Sequence, residues 1–162
     1  MESKQMEFDF NQQPEVTVEN YQQLAMSTCL PSAMNWGYAR HGFKAELYEL
    51  KAKKEGKEAK KIRDGEEFDE AKYIEKIKDE VGDCLWFIAL KCELSSIKFE
   101  DLCNNKLNES SLVEIEIMTD FLVLKFECAE YGIDYRTCMQ RNIDKLFSRK
   151  LRGVIKGSGD ER

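Results

Sequence analysis

The stretch YIEKIKDEVGDCLWFIALKCEL, residues 73–94, decides the fold. Ile74, Ile77, Val81, Leu85, Ile88 and Cys92 return at steps of three and four residues, the period of one helix face. A helix with so continuous a stripe belongs in a core. Upstream, Trp36, Ala39, Phe43, Leu47 and Leu50 keep the same period and predict a helix from Trp36 to about Lys54. Downstream, residues 111–129 are more apolar still and end at a break, Tyr131-Gly132. Asp134 is the expected cap of a last helix running to about Arg149. A first short helix is expected from Val18 to Leu30, stopped by Pro31. Pro14 and Pro31 are the only prolines, so the remaining body carries no helix breaker of that kind.

Strand-like alternation occurs only in VEIEI, residues 113–117. The expected fold class is therefore all-α, a helical bundle, with one domain over residues 18–150. A polar tail (1–17) precedes it and a glycine-rich tail (151–162) follows. Residues 51–70, KAKKEGKEAKKIRDGEEFDE, have almost nothing to bury. They read as a charged helix end and a solvated loop broken at Gly56 and Gly65. There is also an internal echo. Asp83-Cys-Leu-Trp, Ile97-Lys-Phe-Glu and Asn105-Lys-Leu107 resemble Asp120-Phe-Leu-Val, Ile133-Asp-Tyr-Arg and Lys145-Leu146 in the same order, as a duplicated helix–turn–helix would.

The chain's 162 residues suffice for one ordinary core. Thirty-one acidic against 25 basic side chains give a net charge of -6, which argues against binding nucleic acid or an anionic membrane by charge. No run approaches the ~20 uninterrupted apolar residues of a membrane span. The opening MESKQMEFDFNQQ lacks the basic start and apolar run of a secretory signal, so the expected location is the cytoplasm. Cys29, Cys84, Cys92, Cys103, Cys128 and Cys138 form no C-x-x-C pair, and His41 is the sole histidine. Reduced core thiols are the reading, rather than disulfides or zinc.

Two acidic pairs carry the chemistry. Glu46 and Glu49 share a helix face and border the Phe43/Leu47/Leu50 stripe; Glu80 and Asp83 do the same beside Val81/Leu85/Ile88. If these stripes pack together, four carboxylates are drawn between two helices, where they repel one another. A hard divalent cation removes that penalty, and magnesium takes carboxylates while keeping positions for water and phosphate oxygens. Manganese is the expected substitute. A di-iron carboxylate bundle requires a Glu-x-x-His on each of two helices, which His41 alone does not supply.

In order along the chain come Gly42-Phe-Lys-Ala-Glu46-Leu-Tyr-Glu49, Glu80-Val-Gly-Asp83-Cys-Leu-Trp86, Asn142-Ile-Asp-Lys145-Leu-Phe-Ser-Arg149 and Lys156-Gly-Ser-Gly-Asp160. Together they resemble the MazG-like all-α nucleoside triphosphate pyrophosphohydrolases, in the form found in phages and bacteria. Tyr21-Gln22 with Ala25 and Thr28 is similar to the opening helix of those proteins. The resemblance spans about residues 20–160. It implies hydrolysis of a (deoxy)nucleoside triphosphate to monophosphate and pyrophosphate, for house-cleaning or adjustment of the nucleotide pool. It also implies magnesium on Glu46, Glu49, Glu80 and Asp83, in the host cytoplasm if the chain is viral. Asn142, Lys145 and Arg149 would contact phosphates or nucleotide, and the enzyme would be a homodimer or homotetramer. Either Glu46 or Glu49 is the candidate general base.

Trp86 is a candidate base-stacking residue as well as a core residue, and Lys156 with the glycine-rich tail is a candidate phosphate cover. Two features depart from the family pattern. About 30 residues separate Glu49 from Glu80. The Asn142 block also comes one helical hairpin later than in compact members, which implies that this hairpin supplies contacts those members take from a neighbouring subunit. The competing reading is a non-catalytic helical module that binds nucleotide or a protein partner, for which the apolar Ile115–Phe126 segment is the candidate interface.

Overall fold

A computed structural model describes residues 9–11 and 13–154. Among these residues there are seven α-helices and no strand: α1 (Tyr21–Met26), α2 (Trp36–Glu55), α3 (Lys57–Asp64), α4 (Glu70–Leu94), α5 (Phe99–Cys103), α6 (Leu112–Ala129) and α7 (Tyr135–Leu151). A single 3-10 turn, Pro31–Ala33, joins α1 to α2. The expected all-α bundle is the observed one. The Lys156–Asp160 tail lies outside the described residues.

Local sequence starts each long helix. Asn35 accepts a hydrogen bond from the Tyr38 amide at the head of α2, Asp69 from Lys72 at α4, and Asp134 from Arg136 at α7. At α6, Ser111 and Glu114 form a reciprocal capping box, which fixes VEIEI as helix. Residues 57–64, expected in a solvated loop, are helical because KEAKKIRD consists largely of strong helix formers. Nothing in α3 is buried, and the two glycines end up at its boundaries. α1 is shorter than expected, since the residue before Pro31 must be extended and the chain leaves the helix beforehand.

α4 is the axis of the bundle and packs against α1, α2, α6 and α7. Ile77, Val81, Leu85, Ile88 and Cys92, the stripe read from sequence, are fully buried, and so are Cys84, Ala89 and Leu90 on its other faces. All six cysteines are free thiols and four are buried. Burial pushes the Cys128 thiol up to about 12, out of reach of ordinary thiolate chemistry. Within the expected N-terminal tail, the Val16 amide donates to Gln140 Oε1 at 2.9 Å and Phe10 packs edge-on against Phe147 of α7.

One charge sits deep in this packing. The Lys91 side chain is 3% exposed, and its ammonium donates to Glu116 at 2.8 Å and to Asp120, both on α6. Arg40 of α2 closes on Glu116 with three bonds of 2.8, 3.0 and 3.2 Å. Three helices thus share one ionic cluster.

The echo between the two halves extends to their turns. Ile97 N–H donates to Cys92 O at 2.9 Å, and Ile133 N–H donates to Cys128 O at 3.0 Å. Each follows a left-handed residue, Ser96 (φ 55°) or Gly132 (φ 61°). Beyond the turns the halves diverge, because α5 has 5 residues and α7 has 17.

Candidate metal centre

Two close approaches build the site. Gly42 lies one turn before Glu46 on α2, and a Cβ there would stand 2.1 Å from the Phe87 ring. Its absence lets α2 close on α4. On the opposite side, a Cβ on Gly82 would meet Asn142 Cβ at 2.9 Å and Cys138 O at 3.1 Å, so α7 also seats directly on the α4 backbone. Tyr73 fastens the far end of α2 by donating to the Lys53 and Lys54 carbonyls at 3.3 and 3.4 Å.

The result is a cluster of three carboxylates. Glu46 of α2 with Glu80 and Asp83 of α4 each bring one oxygen within 4.8 Å of the others, a spacing able to coordinate one divalent cation. Glu80 is buried, and Glu46 and Asp83 are half-buried. Glu46 Oε2 and Glu80 Oε2 are both closed off from solvent. Hard oxygen donors of this kind suit magnesium, manganese or calcium rather than a soft metal. Glu49, one turn further along α2, is half-buried and outside this group of three.

Basic and amide groups surround the carboxylates. Lys53 pairs with Glu80. Lys145 donates to Asp83 Oδ2 at 2.6 Å, and Asn142 Nδ2 donates to Asp83 Oδ1 at 3.0 Å. Asn142 is 2% exposed and accepts in turn from the Tyr21 hydroxyl at 3.2 Å. Burial, then the charge of Asp83, pushes that hydroxyl well above its usual value, which keeps it a donor. Tyr21, Asn142 and Asp83 form a relay that fixes the carboxylate's rotamer.

The residues expected from sequence therefore take different places. Asn142 and Lys145 stand on Asp83. Arg149 is half-buried one turn beyond Lys145. Trp86 is half-buried, with its indole N–H donating to Ala25 O at 3.1 Å and Thr28 Oγ1 at 3.2 Å. His41 is exposed and its Nδ1 lies 2.9 Å from Gly37 O. Sequence reasoning missed Lys53, which sits in a lysine run read as solvated surface. Its position four residues after Glu49 and seven after Glu46 places it on their face of the helix, and that was the available signal.

Gly82 yields a direct test of this construction. In an unobstructed helix, Gly→Ala stabilises by roughly 0.5–1 kcal/mol. Here the added methyl meets Asn142 and backbone, and overpacking of that kind costs about 1–3 kcal/mol. Gly82→Ala is expected to melt lower than the parent, because the added methyl pushes Asn142 off Asp83. A variant melting at or above the parent would show that α7 is not seated as described.

Among the described residues no helix is long and apolar enough to cross a membrane. In comparisons with protein-family models, curated proteins and solved structures, nothing matches this chain.

Proposed function

We propose that the chain is a magnesium-dependent nucleotide pyrophosphohydrolase of the MazG-like type, cleaving a (deoxy)nucleoside triphosphate to monophosphate and pyrophosphate. The observation that carries this reading is the convergence of Glu46, Glu80 and Asp83 from two helices, with Lys53 and Lys145 against them. The motif resemblance supplies the reaction class.

Glu46, Glu80 and Asp83 would hold the metal, with Glu49 adjoining from the next turn. Bound there, magnesium supplies charge neutralisation of the triphosphate and lowers the pKa of a coordinated water. The chain's own groups do the rest. Asn142, backed by Tyr21, holds Asp83 in one rotamer. Lys53 and Lys145 offset the carboxylate charge in the absence of a cation. With a cation bound, the same two ammoniums are free to turn toward phosphate oxygens, where charge develops during phosphoryl transfer. Arg149 extends that basic face by one helix turn. Glu46 or Glu49 takes the proton from the attacking water.

Incubation with magnesium and each common NTP and dNTP, dUTP included, tests the reading, with pyrophosphate scored separately from orthophosphate. Monophosphate plus pyrophosphate is the expected product pair. A melting scan with magnesium and a non-hydrolysable triphosphate accompanies it. At a hundred times Kd, ligand stabilises by about 2.7 kcal/mol. For a domain of this size that raises Tm by about 5–10 °C. Absence of both products and thermal shift, with magnesium and manganese tried, would leave the carboxylates and lysines as a structural ion-pair network. It would favour the non-catalytic helical module.

A further inference from the structure

α6 carries two apolar faces, of which the bundle uses one. Ile117, Phe121, Leu124 and Cys128 are buried toward the core. On the opposite side Leu112, Ile115, Leu122 and Phe126 are 85%, 43%, 64% and 66% exposed. With Thr119 between them, positions 112, 115, 119, 122 and 126 alternate steps of three and four, the a/d seam of a helix that pairs with another helix. Beside this ridge runs a groove of about 240 Å³ between α6 and the α5–α6 connection, lined by Leu102, Leu107, Met118 and Phe121.

We propose that this face is a homodimer interface in which α6 packs antiparallel on α6 of a second copy, about a two-fold axis near Thr119. Three observations select a second copy. The exposed ridge is centred on Thr119, so a two-fold axis there sets Leu112 against the partner's Phe126 and Ile115 against the partner's Leu122, the self-complementarity an isologous contact requires. Charge agrees with the antiparallel sense. Lys125 lies near the C-terminal end of α6, and Glu109 and Glu114 lie at its N-terminal end. Antiparallel pairing sets lysine against glutamate across the contact, whereas parallel pairing stacks like charges. Area also suffices. At these exposures the four side chains present roughly 500 Å² per copy, and a pair removes about 1,000 Å² before the groove is counted, enough for a specific interface. The inner face of α6 stays on α4, so dimerisation leaves both carboxylate clusters uncovered by this contact.

Sedimentation equilibrium on the full chain, from about 1 to 100 µM, tests this range of association strengths. A dimer is expected for the parent. Leu122→Glu/Phe126→Glu is expected to be monomeric at the same concentrations with unchanged helix content, since both side chains are exposed. Thr119→Cys, mildly oxidised, is expected to give a disulfide-linked dimer above the parent's background, and Leu112→Cys is not. A parent that stays monomeric overturns the proposal and leaves the ridge to a different partner. A double variant as dimeric as the parent, or cross-linking through Leu112→Cys, overturns it equally. None of these outcomes depends on catalysis or on metal.

Discussion

Asp83→Asn is expected to reduce pyrophosphate release by at least about a hundredfold, the scale on which loss of one electrostatic stabiliser of a transition state is felt, because the proposed cation loses an anionic ligand. It is also expected to abolish the magnesium-dependent rise in melting temperature. The substitution keeps the shape of the side chain and removes its charge. One of the three candidate oxygen ligands loses most of its affinity for a hard cation, and Lys145, 23% exposed at its side chain, turns to solvent. Because Lys145 has that escape, and loss of one carboxylate charge relieves repulsion from Glu46 and Glu80, the fold is expected to lose little. Circular dichroism and the magnesium-free Tm should therefore be nearly those of the parent. Turnover within a few-fold of the parent would take Asp83 out of the metal site. Glu49→Gln run alongside decides whether the fourth carboxylate takes part: loss of activity places it in the chemistry, and full activity confines the site to Glu46, Glu80 and Asp83.

Lys91→Met is expected to destabilise the bundle strongly. Methionine fills the channel of the lysine stem but leaves Glu116 and Asp120 without the ammonium they share. Removing one partner of a buried pair costs about 3–5 kcal/mol. Arg40 still holds Glu116, and both carboxylates reach some solvent, which brings the expectation to about 2–3 kcal/mol and a Tm fall of about 5–10 °C.

The pH dependence is distinctive. The hydrogen bond from Arg40, reinforced by Lys91 against the opposing effect of burial, holds the Glu116 carboxyl down at about 2, from an ordinary 4.5. A depressed carboxyl stabilises the fold above its unfolded pKa, and that stabilisation is lost as pH falls through the folded value. The parent should thus lose stability between about pH 4.5 and 2, and Lys91→Met should lose less over the same window. Asp120 acts in the opposite sense, because burial raises its carboxyl despite Lys91. Thermal melts at neutral and acid pH measure both effects, and a variant with the parent's Tm at neutral pH would show that Lys91 bears no structural charge.

Periodicity made the helices legible. The Ile77–Val81–Leu85–Ile88 stripe placed α4 in the core, and Ser111, Asp134 and the Tyr131-Gly132 break placed the ends of α6 and α7 near their positions. VEIEI was ambiguous only until Ser111 and Glu114 are read as a pair, since a capping box commits the turn that follows. Part of the centre was legible for the same reason: Glu46, Glu80 and Asp83 border stripes that pack together. The pattern could not rank Glu49 against them, because a helix face one turn long spans more than one ligand position. Lys53 on Glu80, and Tyr21 behind Asn142, depend on how far two helices approach. That distance is set by Gly42 and Gly82, through contacts with Phe87 and α7 that no local pattern encodes. The burial of Lys91 between Glu116 and Asp120 likewise depends on how closely α6 approaches α4, which no local pattern encodes.

The hydrogen bond between Asn142 and Asp83 spans 59 residues of chain, and the Lys145 contact spans 62. The contact of α2 with α4 through Lys53 and Glu80, by contrast, spans 27 residues. Loop-closure entropy favours forming the nearer contacts first. The folding order this implies is an α2–α4 hairpin that already holds Glu46, Glu80 and Asp83 together, followed by arrival of α7 with its lysine and amide. In the interval the hairpin carries three mutually repelling carboxylates, with Lys53 on Glu80. If the proposed cation binds this cluster, refolding rates should rise with magnesium even where the native state is already saturated.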